Sequence, residues 1–182
     1  MSGQNDEDMR LLFEIDRKNY DPDGTVGFRP SVRGIIIKDG RLAMVHSLKY
    51  DYYKFPGGGI DEGESHTETL VREVREETGL TVVPDSVREY GYVRRMEKGR
   101  FEDVFIQYNY YYFCEAGDMI SASCLDDYEE EARFTLEYVK PSDAIETNRT
   151  HSHGEKERDD VFNGMIARDT RVIEMLIEEL GL

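Results

Sequence analysis

Runs of apolar, β-branched and aromatic residues along the chain predict a sheet of several strands. Asp39-Gly40 separates two of these runs and is a strong signal for a β-hairpin. The predicted strands are 9–16, 31–37, 41–48, a short strand within 50–59 that breaks at Pro56, 87–95, 104–114 and 133–139. Residues 19–30 are rich in turn-forming residues and residues 126–132 are rich in acidic residues, so we expect loops in both segments.

Three further segments predict helices. The clearest is 66–78, where Ser65 and Glu68 have the spacing of a capping box and Gly79 fits a left-handed C-cap. A short helix is expected after Pro141. A long amphipathic helix is expected over about 157–180. Its apolar side consists of Val161, Phe162, Met165, Ile166, Val172, Ile173, Leu176 and Leu180. Strands mixed with helices place the chain in the α/β class.

Composition narrows the classes of function. The 182 residues are 38% hydrophobic and 11% aromatic, which fits one globular domain. The net charge of −16 argues against binding a nucleic acid polymer, whose backbone is also negative, but a metal ion can mask charge around a small phosphorylated substrate. The polar start is unlike a signal peptide and no apolar run suits a membrane span, so we expect a soluble, cytoplasmic protein. Cys114 and Cys124 fit ordinary cytosolic thiols.

Glu73, Glu76 and Glu77 lie within five residues of the helix 66–78. On a helix they share an arc of about 100°, next to the arc that faces the core. Like charges at this spacing destabilise a helix by about 0.2–0.5 kcal/mol. A solvated acidic face is one interpretation, and a divalent cation is the other. Carboxylate oxygens are ligands that Mg²⁺ and Mn²⁺ prefer, and the glycine run 57–59 lets backbone approach a ligand closely.

The stretch from the glycine run to the end of this helix resembles the signature of the Nudix (MutT-like) hydrolase family. The matching residues are Gly58, Glu64, Arg72, Glu73, Val74, Glu76, Glu77, Gly79 and Leu80. The resemblance implies a Nudix-type α/β/α sandwich with a mixed central sheet. It also implies one domain over 1–182, with a core at about 31–147 and a C-terminal helical extension at about 157–180.

The resemblance further implies a metal-dependent hydrolase that cleaves the pyrophosphate bond of a small nucleoside diphosphate derivative. That substrate is a nucleotide sugar, a dinucleotide or a (d)NTP. The expected metal is Mg²⁺ or Mn²⁺. Its ligands are expected to be Glu73, Glu76, Glu77 and the backbone carbonyl of Gly58 or its neighbour Gly57.

Other roles are also carried over from the resemblance. Arg72 is expected to orient a glutamate, and Glu64 to be an outer ligand or a base. A late loop often adds a glutamate in this family, and among Glu129, Glu130 and Glu131 we favour Glu130. The catalytic set is therefore Glu76, Glu77, Arg72, Glu64 and Glu130. Candidates to hold substrate phosphates are Arg29, Arg33, Arg94 and Arg95, each of which also fits a plain surface residue.

The sequence is compatible with three other functional hypotheses. The first is a Nudix fold that binds a ligand without turnover, although such a protein would not need the complete signature. The second is an isomerase of allylic diphosphates, which would need a cysteine that faces the substrate. The third is an acidic scaffold with no site.

The C-terminal helix also leaves two options open. At about 24 residues it would span roughly 36 Å. Its wide apolar side packs within its own chain or pairs with a second subunit. We expect a homodimer, since most soluble homo-oligomers are two-fold dimers. The charged residues Arg168, Arg171, Glu174 and Glu178 would then form the rim of the interface.

Overall fold

The computed structural model describes residues 9–117 and 127–182. Within these ranges the strands are β1 (Leu11–Asp16), β2 (Val26–Ile35), β3 (Ile37–Lys38), β4 (Arg41–Ser47), β5 (Tyr52–Lys54), β6 (Thr81–Val82), β7 (Arg88–Glu97), β8 (Val104–Phe113), β9 (Ala116–Gly117) and β10 (Phe134–Val139). The helices are α1 (His66–Thr78), α2 (Asp127–Ala132), α3 (Pro141–Thr150) and α4 (Asp160–Leu180). Pro84–Ser86 and Gly154–Arg158 form short 3₁₀ helices.

One of the two four-stranded sheets is mixed, as the resemblance implies. Its order is β1-β7-β8-β2, with β1 parallel to β7, β7 antiparallel to β8 and β8 parallel to β2. A second, antiparallel sheet has the order β10-β4-β3, and β5 also pairs with β4. Strands β6 and β9 form a small separate pair.

Helices cover both faces of the strands. Tyr110 and Tyr112 of β8 pack with Leu70 and Val74 of α1 in one core cluster. Tyr111, between them, belongs to the opposite cluster, because successive side chains of a strand point to opposite faces. There it packs with residues of α4, namely Val172, Ile173 and Leu176. The α/β/α sandwich is therefore confirmed.

Two predicted boundaries are wrong near β2. The expected loop 19–30 gives way to strand at Val26, because β2 pairs with β8 over ten positions from Val26 to Ile35. Pro30 lies inside this strand, which is the edge of its sheet and tolerates a missing N–H. The expected strand 31–37 is split, since only Ile37–Lys38 pairs with β4 in the hairpin. Asp39 and Gly40 have the positive φ values that a tight hairpin needs.

The expected acidic loop at 126–132 is also wrong, because Asp127–Ala132 is helical. Helix α4 begins at Asp160 rather than 157. The side chain of Asp159 caps it by accepting hydrogen bonds from the backbone N–H groups of Val161 and Phe162. No helix of the described ranges is both long enough and apolar enough to cross a membrane.

The packing of α4 answers the question raised by its apolar side. Phe162, Val172, Ile173 and Leu176 are buried within the chain itself. Arg168, expected on a dimer rim, is also buried, with 1% of its surface exposed. The middle of the surface on which the homodimer expectation rested is therefore covered by the chain's own sheet and by α3. Val161 and Leu180, near the two ends of the helix, are exposed.

Candidate active site

Helix α1 is fixed at both ends by the residues that its sequence offers. The Ser65 side chain accepts from the N–H of Glu68, whose carboxylate accepts from the N–H of Ser65, so the predicted capping box is present. Gly79 closes the helix with a φ of 74°. Leu70 and Val74 are fully buried against the sheet. This packing holds the C-terminal half of α1 beside the glycine run. Glu73 and Glu77 lie on the side of the helix that faces the run.

The glycine run passes along the free edge of β2. The N–H of Val32 donates to the Gly58 carbonyl at 2.9 Å, and the N–H of Gly34 donates to the Pro56 carbonyl at 2.8 Å. Gly57 has a φ of 135°, and a Cβ there would lie 2.2 Å from the Val32 carbonyl oxygen. Only glycine fits so close to another backbone.

Gly58 makes room for a carboxylate. A Cβ on Gly58 would lie 2.2 Å from Oε2 of Glu73. The space that a side chain at position 58 would fill is therefore occupied by a carboxylate oxygen of Glu73. This contact brings the first glutamate of the cluster to the glycine run.

A cavity of about 340 Å³ opens at this junction. Its lining is polar and carries both signs of charge. The lining residues are Arg29, Ser31, Arg33, Lys54, Gly57, Gly58, Gly59, Glu73, Glu77, Gln107 and Glu129. The cavity thus brings together two of the three clustered glutamates, the glycine run and three cationic side chains.

Glu77 is the most buried of the three clustered glutamates, with 2% of its surface exposed. Lys54 donates to its Oε1 at 2.6 Å, and the N–H of Gly57 donates to its Oε2 at 2.8 Å. A buried carboxylate is stable only with such partners. Glu77 therefore also ties the end of α1 to β5 and to the glycine run.

Arg72 connects the remaining carboxylates. Its Nε and Nη2 bind both oxygens of Glu64, at 2.8 and 2.7 Å, in a two-pronged ion pair. Its Nη1 donates to Glu73 at 2.7 Å and to Glu76 at 3.2 Å. The Arg72 hydrogen bonds lower the pKa of Glu64 to about 2. Glu64 is therefore ionised at neutral pH and is a weak proton acceptor.

The other two glutamates differ in their surroundings. Burial raises the pKa of Glu73 above its ordinary value, although the Arg72 hydrogen bond opposes this. Glu76 has a half-exposed side chain and does not line the cavity. In the described parts of the chain, no three carboxylate, histidine or cysteine side chains are grouped as a ready metal site. Lys54 and Arg72 instead hold the carboxylates.

The acidic segment after residue 126 contributes one side chain to the cavity. Glu129 lines it, whereas Glu130, the residue favoured from the sequence, is exposed and does not. Because 127–132 is a helix, successive side chains point about 100° apart, so Glu129 and Glu130 face different directions. Glu131 forms an ion pair with Lys49 on the surface.

Comparison with known proteins agrees with this arrangement. A family model described as the NUDIX domain matches residues 27–157. This range covers more than half of the chain and includes the glycine run, α1 and α2. The chain belongs to the Nudix hydrolase family.

Solved Nudix structures share its fold. A NUDIX hydrolase from Nitrosomonas europaea superposes with a TM-score of 0.54 at 15% identity, covering 80% of this chain and 90% of that chain. A MutT protein from Bacillus halodurans gives a TM-score of 0.52 at 20% identity, with 78% and 84% covered. Identities this low establish a common fold and nothing about substrate.

Curated relatives match over a shorter stretch. An RNA pyrophosphohydrolase of Xanthomonas campestris pv. campestris is 41% identical over 73 residues, which is 39% of this chain and 33% of that protein. An RNA pyrophosphohydrolase of Halorhodospira halophila is 44% identical over 71 residues, or 38% of each chain. The chain thus spans about a third of the length of the curated relatives it matches.

Among the arginines considered for phosphate contacts, two lie at the Nudix site and two do not. Arg29 and Arg33 line the cavity. Arg94 pairs with Glu14 on the surface, and Arg95 pairs with Glu97 in a buried cluster. Of the cysteines, Cys114 is buried and burial raises its pKa to about 12, so it is not a reactive thiol. Cys124 lies outside the described residues.

The Nudix site also rests on polar residues that sequence reasoning missed. Arg168 and Asp169 of α4 are both buried, and Asp169 accepts hydrogen bonds from the N–H of Phe55 and the hydroxyl of Tyr111. The sequence does contain a signal that these two residues are buried. Arg168 and Asp169 precede the core residues Val172 and Ile173 by four positions, so both lie on the apolar face of the helix.

Proposed function

We propose that the chain is a metal-dependent hydrolase that cleaves a pyrophosphate bond in a nucleoside diphosphate derivative. The observation that carries this proposal is the single cavity in which Glu73 and Glu77 of α1 meet the glycine run and three cationic side chains. Breaking a phosphoanhydride requires neutralised charge on the phosphate oxygens and a positioned water. Carboxylates that bind metal cations, together with arginine and lysine side chains, meet both requirements. We also propose that residues 1–182 form one domain.

The donor set fits a hard divalent cation, Mg²⁺ or Mn²⁺. The side-chain oxygen of Glu73 fills the space beside Gly58, so a carboxylate, a ligand that such ions prefer, lies against the glycine backbone. Glu73, Glu76, Glu77 and the Gly58 carbonyl are the residues that would hold the metal. When bound, such a metal neutralises phosphate charge and activates water.

The chain's own cations would hold these carboxylates in position before a metal binds and would release them when it does. Lys54 and Arg72 neutralise the glutamates in the described arrangement. Arg72 keeps Glu73 and Glu76 near each other, which is the orienting role expected of it. Glu64, held in its ionised state by Arg72, is better suited to positioning that arginine than to accepting a proton. Arg29 and Arg33 are placed to bind substrate phosphates.

Glu129 is our candidate for the base in this hydrolase. It is the residue of the acidic segment that lines the cavity with Glu73 and Glu77. Glu130, although favoured by the sequence, is exposed and does not line that cavity. Comparing Glu129→Gln with Glu130→Gln separates the two, because a base is expected to affect turnover steeply and an exposed carboxylate is not.

The names of the curated relatives favour one further substrate class. Those proteins are called RNA pyrophosphohydrolases, so a pyrophosphate group carried by RNA joins nucleotide sugars, dinucleotides and (d)NTPs as a candidate. The charge of −16 favours small substrates or a contact limited to the end of a chain. Cys114 is buried and does not line the cavity, so it does not supply the substrate-facing cysteine that the isomerase alternative needs. Cys124, the other cysteine, lies outside the described residues. A binding protein without turnover is the outcome to be separated by assay.

A homodimer stays a prediction. The burial of Ile173 and Leu176 within the chain removes the centre of the patch that supported it, whereas Val161 and Leu180 are exposed. Light scattering on the intact protein decides between a monomer of about 21 kDa and twice that mass.

A substrate screen tests the proposed activity. Nucleotide sugars, dinucleotides, (d)NTPs and an RNA with a 5′-triphosphate are incubated with Mg²⁺ or Mn²⁺. Phosphate release is measured with and without added phosphatase, which distinguishes released phosphate from released monoester. We expect at least one class to be hydrolysed, and hydrolysis to stop when EDTA is added. Binding without turnover of any class would identify the chain as a ligand-binding protein.

A further inference from the structure

Lys54 and Glu77 form a buried ion pair in the wall of the cavity. Nζ of Lys54 lies 2.6 Å from Oε1 of Glu77. Their side chains are 11% and 2% exposed, so little water reaches either charge. Both residues line the cavity beside the glycine run. Because a buried charge without a partner is strongly destabilising, each of these two side chains stabilises the other.

Both oxygens of Glu77 already accept hydrogen bonds. Oε1 accepts from Lys54, and Oε2 accepts from the N–H of Gly57 at 2.8 Å. Glu77 is also one of the proposed metal ligands. A hard cation binds a carboxylate oxygen directly, so an ion on Glu77 would share that carboxylate with the Lys54 ammonium group. Two cations on one buried carboxylate repel each other strongly, because little water screens them.

The other cation that holds the glutamate cluster is placed differently. Nε and Nη2 of Arg72 donate to the two oxygens of Glu64, which is not among the residues proposed to hold the metal. Arg72 therefore keeps this partner when a metal binds the other glutamates. Lys54 instead pairs with a proposed ligand, so a metal on Glu77 would take the counter-charge of Lys54.

Lys54 has a second contact that does not depend on Glu77. Its Nζ lies 4.4 Å from the centroid of the Phe134 ring, a distance at which a cation is attracted to the face of an aromatic ring. Pairing with Val45 of β4 fixes the Lys54 backbone, whereas its four-carbon side chain is flexible. Rotation about the side-chain bonds therefore moves the ammonium group away from Glu77 while it stays beside Phe134.

We propose that Lys54 competes with the metal for Glu77, so that a metal ion displaces the Lys54 ammonium group when it binds. This inference rests on the proposed hydrolase function and concerns how metal occupancy of that site is controlled. Lys54 is thus a positioning residue, since it acts on the reaction through Glu77. It stabilises the protein without metal and lowers the affinity of the site for metal. An ion pair with a purely structural role would have the first effect and not the second.

Lys54→Met tests the competition, because methionine keeps a flexible, unbranched side chain and removes the charge. Calorimetric titration with Mn²⁺ should show binding that is about tenfold tighter or more in Lys54→Met than in the unaltered protein, since no close charge pair has to be broken. Without metal, the melting temperature of the variant should be lower by about 5 °C or more, because Glu77 is left buried without its counter-charge. Saturating Mn²⁺ should raise the melting temperature more in the variant than in the unaltered protein.

Lys49→Met is the matched control. Nζ of Lys49 also lies 2.6 Å from a carboxylate oxygen, that of Glu131, but both side chains are exposed. We expect this variant to change neither the Mn²⁺ affinity nor the melting temperature appreciably, because exposed ion pairs contribute little. The double variant Lys54→Met, Glu77→Gln should be more stable than Lys54→Met alone, since it no longer contains a buried carboxylate without a counter-charge.

Chemical labelling of the unaltered protein provides a test that does not depend on how the variants fold. Acetic anhydride reacts with lysine amines, and mass spectrometry measures the extent of reaction at each lysine separately. An ammonium group held in a buried ion pair reacts slowly, because it must first lose its proton. Lys54 should therefore react several-fold faster in saturating Mn²⁺ than in EDTA, whereas Lys49 should react at the same rate in both.

The outcomes separate this inference from the proposed function. Equal or weaker Mn²⁺ binding by a folded Lys54→Met variant, or equal labelling of Lys54 with Mn²⁺ and with EDTA, would overturn the competition and leave the hydrolase intact. Absence of Mn²⁺ binding by both the unaltered protein and Lys54→Met would overturn the competition together with the metal requirement. Tighter binding by Lys54→Met, without hydrolysis of any substrate by the unaltered protein, would support the competition and overturn the hydrolase.

Discussion

Arg72 is the residue on which the charged side chains of the site depend most. One guanidinium forms ion pairs with four carboxylates, those of Asp61, Glu64, Glu73 and Glu76. Glu77 depends on another cation, Lys54, and is far more buried. The glutamates of α1 are therefore not equivalent, and their substitution should separate effects on turnover from effects on stability.

Glu76→Gln and Glu77→Gln should both lower turnover by about 100-fold, since each removes a proposed metal ligand. Their stabilities should differ. Glu77→Gln leaves the buried Lys54 without its counter-charge, which should cost about 3 kcal/mol, whereas Glu76 is half-exposed. Urea unfolding measured beside phosphate release checks this. Normal turnover in either variant would contradict the ligand assignment, and equal stabilities would contradict the role given to Lys54.

Gly58→Ala should abolish most turnover while the chain still folds. The new Cβ would meet Oε2 of Glu73 at 2.2 Å and push the carboxylate out of the cavity. Gly117→Ala is a matched control, because within the described ranges a Cβ there would meet only the Thr81 carbonyl oxygen, at 3.9 Å. Both variants are assayed for hydrolysis and thermal unfolding. Full activity in Gly58→Ala would show that the position of Glu73 beside Gly58 is irrelevant.

The Glu64–Arg72 ion pair should make stability depend on acidic pH. It lowers the pKa of Glu64 from 4.5 to about 2. A carboxyl group with a lowered folded pKa stabilises the fold above its unfolded pKa and loses this effect as pH falls through the folded value. Urea unfolding should therefore show a smaller loss of stability between pH 4.5 and about 2 in Glu64→Gln than in the unaltered protein. Glu62→Gln, an exposed neighbour, should not change the profile, and identical profiles for all three proteins would exclude the effect.

Much of the residue-scale picture could be predicted because its signals are local. Ser65, Glu68 and Gly79 cap α1 through contacts within a few positions, and the sequence indicates all of them. Arg168 and Asp169 could not be assigned to the site in this way. Their partners, Asn109 and Tyr111, are about sixty positions away, and only the folded sheet brings them together.

The helices and strands determine which of these residues reach the cavity. Helix α1 had bounds that the sequence predicts, since its caps and its buried face agree. Helix α2 was expected as a loop because its charge hides the helical tendency of Glu and Ala. The middle of the apolar side of α4 was predicted correctly, whereas Val161 and Leu180 near its ends are exposed. What covers this side was not predicted, because periodicity shows that a helix face is buried and not what covers it.

Helix α4 offers a direct test of internal packing. Leu176 is fully buried, whereas Leu180, four residues later, is 49% exposed. Leu176→Ala should lower the free energy of unfolding by about 3 kcal/mol through the cavity it leaves, and Leu180→Ala should change it by less than about 1 kcal/mol. Chemical unfolding of both variants measures the difference. Equal effects would mean that α4 does not pack on the sheet as described.

At the scale of the whole molecule, a strongly acidic chain gathers cations at one place. The net charge is −16, yet the cavity includes Arg29, Arg33 and Lys54. These cations meet three carboxylates there, those of Glu73, Glu77 and Glu129, so a bound metal would supply the positive charge that attracts phosphates. The sequence predicts the family and the glutamate cluster from a contiguous stretch of 23 residues. It could not predict the cavity, which β2, β5, β8, α1 and α2 form only together.

The central claim is that hydrolysis takes place at this cavity and requires a divalent cation. The most direct test is phosphate release from the best substrate of the screen, with Mg²⁺ and then with EDTA, for the unaltered protein, Glu73→Gln and the exposed control Glu178→Gln. We predict turnover that stops in EDTA, falls by about 100-fold in Glu73→Gln and is normal in Glu178→Gln. Turnover that continues in EDTA, or that is normal in a folded Glu73→Gln variant, would contradict the claim.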